Sequence, residues 1–234
     1  MYKRALLQVI FFGALTFAAF GQTPVTPATT VDSEPHHKLL LQNDKVRVYR
    51  LELAKNKATS PHRHAAPYVF IALTPATIAN EVHGRASVVS TLEYGELRSS
   101  KGGFTVAERN AGSEPLSLIV VEMAGEVNRK DAFPSPEADF RMRNAAVGHL
   151  FETNDWRGYE MDIASEGTIG SHNEDNDRLI VAISEVHLRN DVEGKGSTRF
   201  DLAAGEVAWV AGKESVSSVN LGADPARFVV IEVR

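Results

Sequence analysis

The sequence predicts an all-β protein built as two tandem barrels or sandwiches. Three observations carry that prediction. The chain matches itself without a gap when shifted by 110 residues: 40–124 against 150–234 gives about 20 identities in 85 positions, where ordinary composition gives roughly five or six by chance. Each half reads as short strands separated by Gly, Pro and Asn clusters, the punctuation of sandwiches and barrels. Neither half contains a long, clearly amphipathic helix.

The elements follow in order. Residues 1–21 have a positive head, Lys3-Arg4, and an apolar run from Ala5 to Phe20. As a helix that run spans about 24 Å, short of the roughly 30 Å hydrocarbon core. Ala19 and Gly21 supply small residues for cleavage before Gln22. This is the pattern of a secretory signal peptide and predicts a secreted or periplasmic protein, with no membrane association once the signal is removed. Residues 22–35 are Thr/Pro-rich and read as a flexible lead-in. Val46 to Leu53 alternates apolar and polar residues, as a half-buried strand does. Tyr68 to Leu73 and Leu116 to Met123 are short apolar runs, and Leu179 to Ile183 and Phe228 to Val233 are their counterparts. Barrel 1 is thus expected over 36–125 and barrel 2 over 150–234, with a linker at 126–149 whose stretch Glu137 to Ala146 is the best helical candidate.

Composition removes several functions. The chain has no cysteine, so disulfides, thiolate metal sites, iron–sulfur clusters and a cysteine nucleophile are excluded. The formal charge is −5, and −7 without Lys3 and Arg4; neither value, with charges interspersed, gives a footprint for nucleic acid. There is no nucleophile elbow and no phosphate-cradling loop. Gly194-Lys195-Gly196-Ser197 lacks the strand–loop–helix context and reads as a hairpin.

The punctuation carries a resemblance. The first half has Pro61-His62-Arg63-His64, then Gly95-Glu96-Leu97, Lys101-Gly102-Gly103 and Asn110-Ala111-Gly112; the second has Gly170-Ser171-His172-Asn173-Glu174, then Gly205-Glu206-Val207, Ala211-Gly212-Lys213 and Asn220-Leu221-Gly222. These motifs resemble those of the cupin superfamily over nearly the whole chain after residue 35. The resemblance implies a bicupin, two tandem cupin-type jelly-roll β-barrels, and a metal site in each barrel made from His-x-His, a glutamate and a third histidine. His-x-His on a strand puts both imidazoles on one face.

Both implied ligand sets are incomplete. In the first half His62 and His64 are present, but the glutamate position falls on Tyr68 and the third-histidine position, four before Asn110, on Val106. His83 lies in a turn-like stretch, and His36 and His37, before the first strand, read as surface residues. In the second half His172 is kept, Glu174 replaces the second histidine, Arg178 takes the glutamate position and Val216 the third-histidine position. Arg178 opposes a metal and suits an anion, or pairs with Glu174. Glu214, two residues before Val216, is a candidate replacement ligand. The repeated Gly-Glu pairs read as strand turns, and Arg47 with Tyr49, repeated as Arg157 with Tyr159, as a structural pairing to a carboxylate.

Two functions follow. The first is a secreted or periplasmic bicupin that binds a small molecule, with one divalent transition metal at His62 and His64 as the only cofactor its residues suit, and with limited or no catalysis. The apolar Val106 and Val216 make the barrel interiors drier and more like binding cavities. The alternative is a metal-dependent enzyme of dioxygenase, isomerase or lyase type, in which Tyr68 is the candidate proton donor. The resemblance also implies a homodimer formed through sheet edges.

Overall fold

The computed structural model describes residues 29–123, 141–153 and 156–233. The predicted signal at 1–21, the lead-in up to residue 28 and most of the linker lie outside the described residues.

The first unit contains ten strands: β1 (Thr29–Thr30), β2 (His37–Gln42), β3 (Val46–Leu53), β4 (His62–His64), β5 (Tyr68–Ala72), β6 (Ala76–Val82), β7 (Val88–Leu92), β8 (Leu97–Ser100), β9 (Phe104–Asn110) and β10 (Leu116–Met123). They make two five-stranded sheets, ordered β1-β4-β9-β6-β7 and β2-β3-β10-β5-β8. The second unit contains β11 (Met142–Glu152), β12 (Trp156–Glu174), β13 (Asp177–Ala182), β14 (Val186–Val192), β15 (Gly196–Leu202), β16 (Val207–Val210), β17 (Glu214–Asn220) and β18 (Ala226–Val233). These form one sheet ordered β15-β14-β17-β12-β18-β13-β16, with β11 on β12. The architecture is the predicted all-β pair of jelly-roll barrels. Gly194 lies in the turn joining the β14–β15 hairpin, as its sequence context implied.

Pairings recur at the spacing of the self-match. The register of β10 on β3 sets Glu122 opposite Arg47, and β18 on β12 sets Glu232 opposite Arg157. The recurring Asn-x-Gly turns share one mechanism. Buried Asn110 donates to the carbonyls of Leu53 (3.0 Å) and Glu114 (2.8 Å) and accepts from the Gly112 N–H (2.9 Å). Asn220 does the same with Ile163, Asp224 and Gly222. The repeated Gly-Glu pairs set tight turns: Gly95 and Gly205 both have φ of +81°, a region that favours glycine. At each, a Cβ would also crowd an arginine of the other unit, Arg227 or Arg50.

Strands β5 and β10 are largely apolar on both faces because both faces are covered. One face of β10 (Leu116, Leu118, Val120) fills the first barrel with Tyr49, Leu51 and Ile78. The other (Ile119, Val121, Met123) meets Leu179, Val181, Val229 and Ile231 of the second unit. Burial on two faces explains why these strands read as continuous apolar runs. The interface is pinned by Lys45–Asp177 at 3.1 Å and by Arg50 donating to the Gly205 carbonyl at 2.6 Å.

Two expectations are corrected. Residues 29–35 are not a loose lead-in: β1 pairs with β4 in parallel, and Val31 and Glu34 are buried. The helical candidate is a strand from Met142 onward, pairing along β12 from Ile169 to Arg157. Helix propensity at Ala145-Ala146 is weak against the row of unpaired backbone groups that the β12 edge offers.

Candidate metal centre

Alternation along β4 buries His62 and His64 and turns Arg63 outward. The pairing of β4 with β9 places His62 opposite Val106, and two residues further along β9, on the same inward face, stands Glu108. These three residues belong to one sheet. The fourth member comes from the facing sheet: His37, at the start of β2, is only 6% exposed, and its ring centroid lies 4.7 Å from that of His62. Ligand atoms of His37, His62, His64 and Glu108 all fall within 4.8 Å of one another. His62 Nε2 is 3.1 Å from His64 Nε2 and 3.4 Å from Glu108 Oε2.

Each imidazole is held by its other nitrogen. His62 Nδ1 donates to the Ser60 carbonyl (2.9 Å), His64 Nδ1 to Glu122 (2.9 Å) and His37 Nδ1 to Glu34 (3.1 Å). With Nδ1 held in these hydrogen bonds, all three rings turn Nε2 toward the shared centre. His37 Nε2 is buried and has no hydrogen-bond partner. Such anchoring orients imidazoles toward a cation. Three imidazoles and one carboxylate are a donor set that suits a divalent transition metal, so the residues present fit the cofactor. The group could hold one metal ion, which would supply a Lewis acid or an oxygen-binding centre.

The electrostatics agree. Burial pushes the Glu108 carboxyl up, but His64, His62 and His37 outweigh it and hold Glu108 below its ordinary range. Burial pushes His64 down, yet Glu108 and Glu122 outweigh it and hold this imidazole above its ordinary value. Burial, together with its two histidine neighbours, keeps His37 low and neutral. The site therefore attracts positive charge, and it keeps one imidazole ready to bind without first losing a proton.

Two residues around the cluster differ from the sequence reading. His37 was expected at the surface; folding β2 against β3 carries it into the barrel. Glu108 lies at none of the motif positions, although a carboxylate on the inward face of the alternating run Val106-Ala-Glu108-Arg-Asn110 is a signal the sequence does contain. Tyr68 stacks on His64, with centroids 4.1 Å apart, and burial pushes its phenol up to about 12. His83 is exposed, as expected.

Glu122 is free to hold His64 because Asp32 shares its task. In the second unit Arg157 donates to Glu232 (2.9 Å) and so does Tyr159 (3.3 Å). In the first, Arg47 donates to Asp32 (3.1 Å) and stands 3.9 Å from Glu122, while the Tyr49 hydroxyl donates to Asp32. The expected pairing of each arginine with a carboxylate is present, and in the first unit its carboxylate also serves the cluster.

The second unit does not rebuild this group. His172 Nδ1 donates to the Gly170 carbonyl (2.9 Å), as His62 does to Ser60, but Nε2 faces Glu174 Oε1 at 2.7 Å. Arg178 pairs with the same oxygen. Glu214 does not join them; it accepts from Lys195 at 2.6 Å. At the positions 110 residues beyond His37 and Glu108 stand Val147 and Ser218. A cavity of about 100 Å³ lies here, against about 10 Å³ beside the His64–Glu108 cluster.

No protein-family model matches the sequence, and no curated protein matches it. Solved structures do. A cupin 2 conserved barrel domain protein from Leptotrichia buccalis is similar at 12% identity, over 85% of this chain and 88% of that one, with a TM-score of 0.54. The oxalate decarboxylase of Lactobacillus farciminis, in its formate complex, is similar at 11% identity over 82% and 78%, with a TM-score of 0.62. The 7S globulin of Momordica charantia is similar at 10% identity over 85% and 82%, with a TM-score of 0.60. An enzyme and a globulin share this architecture, so it does not by itself select an activity; what the likenesses establish is that this chain has the cupin fold.

Proposed function

We propose that the protein is a bicupin whose first barrel binds one divalent transition metal through His37, His62, His64 and Glu108, and that it is a binding protein with limited or no catalysis. One observation carries the metal assignment. Three anchored imidazoles turn their Nε2 atoms on a single point beside a carboxylate, and two of these atoms are 3.1 Å apart. Two nitrogen lone pairs at that distance repel unless a cation or a proton lies between them. The limited room supports binding over turnover: a space of about 10 Å³ beside the cluster is near the minimum for a single water. The residues at 1–21 support export to the periplasm or medium.

The test is elemental analysis of the purified protein beside a His62→Ala/His64→Ala variant. Near-stoichiometric metal in the wild type, lost in the variant, is expected. A wild type that stays metal-free after reconstitution with Mn, Fe, Ni, Zn and Cu overturns the assignment.

A second reading, a metal-dependent enzyme of dioxygenase, isomerase or lyase type, rests on Tyr68 lining the same small space as His64 and Glu108. Its phenol, held protonated at neutral pH, is a proton donor in reach of that space. Turnover by the metal-loaded protein that Tyr68→Phe abolishes without loss of metal selects this reading.

A further inference from the structure

The segment ahead of β2 supplies no ligand atom to the cluster before His37, yet it reaches the support of all three imidazoles. β1 runs in parallel beside β4, with Thr29 opposite His62 and Thr30 opposite Arg63. A short 3-10 turn, Val31–Ser33, follows and buries Val31 among Tyr49, Leu51 and Tyr68. The Glu34 N–H donates to the Val31 carbonyl and the His37 N–H to the Glu34 carbonyl, both at 3.1 Å. These two turns carry the chain from the sheet of β4 to the sheet of β2.

Two carboxylates sit in this crossing. Glu34 is buried and accepts from the Ser60 N–H at 3.1 Å while holding His37 Nδ1 at 3.1 Å. The Ser60 carbonyl in turn holds His62 Nδ1 at 2.9 Å. One carboxylate thus fixes two imidazoles that come from facing sheets. Asp32 accepts from Arg47 and Tyr49, which leaves Glu122 to hold His64 Nδ1 at 2.9 Å. The second unit has no such device. The positions 110 residues beyond Asp32 and Glu34 are Met142 and Asn144. There β11 runs along β12 as a strand, and Glu232 is engaged by Arg157 and Tyr159.

We infer that residues 29–36 are a strap that assembles the metal centre, with Asp32 and Glu34 as its positioning residues, and that metal binding and strap docking are coupled. The inference rests on the metal reading of the cluster. β1 is two residues long, exposed, and lies at the end of its sheet, so the strap is an element that opens locally at low cost. When it opens, His37 loses Glu34 directly, the Ser60 loop that holds His62 is released, and Glu122 is returned to Arg47 and Tyr49. Unheld rings bind a metal more weakly. By linkage, the factor by which strap opening weakens the metal is the factor by which the metal suppresses strap opening.

Chelator competition and amide hydrogen exchange on the full chain test the inference. The probe is the ion that the wild type binds tightest among Mn, Fe, Ni, Zn and Cu. Its affinity should fall about 10–100-fold in Glu34→Gln and in Asp32→Ala. It should be unchanged in Ser33→Ala, a strap residue whose hydroxyl meets Thr30. Asp32 acts through Glu122, so Asp32→Ala should cost little more once Glu122→Gln is present; a general loss of structure would instead add to it. In the wild type, saturating metal should slow exchange of the Glu34, His37 and Ser60 amides about tenfold or more, and slow them more than the amides of the β14–β15 hairpin. Undiminished affinity in either strap variant, full additivity with Glu122→Gln, or strap amides that exchange equally with and without metal overturn the inference and leave the metal reading intact. A wild type that takes up none of the five metals overturns both. The exchange measurement uses the wild type alone, so it decides even where a variant fails to fold.

Discussion

His37→Ala separates a metal centre from a buried histidine cluster that holds no ion, because the two readings predict different responses to metal. Take the wild type at a metal concentration one hundred times its Kd. Binding to the folded state alone then adds about 2.7 kcal/mol. For a chain of this size each kcal/mol moves Tm by about 2–4 °C, so metal should raise Tm by about 5–11 °C over a chelator-treated sample. His37 is one of four donors in the group. Loss of an outer-sphere anchor alone costs about 10–100-fold in affinity, so loss of a donor should cost about 100-fold or more. At the same metal concentration the variant then gains about 0.4 kcal/mol, or 1–2 °C. In chelator the variant should melt within a few degrees of the wild type. Removing His37 leaves Glu34 one hydrogen bond short, but it also removes a buried Nε2 with no partner, an atom that costs about 1–3 kcal/mol. Thermal melts by circular dichroism, with and without metal, read all four values. A metal-induced shift of the same size in variant and wild type, or no shift in either, would refute the reasoning.

Three further outcomes are expected. Glu122→Gln should lower metal affinity about 10–100-fold by loosening His64, while Glu232→Gln should leave it unchanged; competition with a chromogenic chelator measures both. Asn220→Ala should destabilise the fold by about 2–4 kcal/mol in urea melts, because the Ile163 and Asp224 carbonyls and the Gly222 N–H lose their partner; a change below 1 kcal/mol would contradict the role given to this turn. In the metal-free protein Glu34 contributes acid-sensitive stability. Burial raises its pKa, but hydrogen bonds from His36, His37 and Ser60 outweigh this and lower it from 4.5 to about 2. The folded value lies below the unfolded one, so the contribution is complete above pH 4.5 and is lost as pH falls toward 2, with an upper bound of about 3 kcal/mol. The stability gap between wild type and Glu34→Gln should close over that interval, and a gap constant with pH would count against it.

The amino-acid sequence alone determined the all-β class, the principal apolar strands of each half and the turns. Period-2 alternation, the apolar runs and the Asn and Gly positions are local chemistry, and local chemistry can be read along a chain. It also singled out His62 and His64, because alternate residues of a strand share a face wherever the strand goes. The rest of the cluster depends on contacts distant in sequence. Glu108 was legible only as a charge on an inward face, and nothing local says that this face meets β4. His37 follows a Pro and another His, a context that reads as surface until β2 folds onto β3 and closes the second sheet over the first. Whether Glu122 holds an imidazole or an arginine depends on Asp32, ninety residues earlier, arriving to share Arg47 and Tyr49. Tertiary structure decided these points because a metal site is a meeting of side chains from facing sheets, and the chain specifies that meeting only by burying both sheets at once.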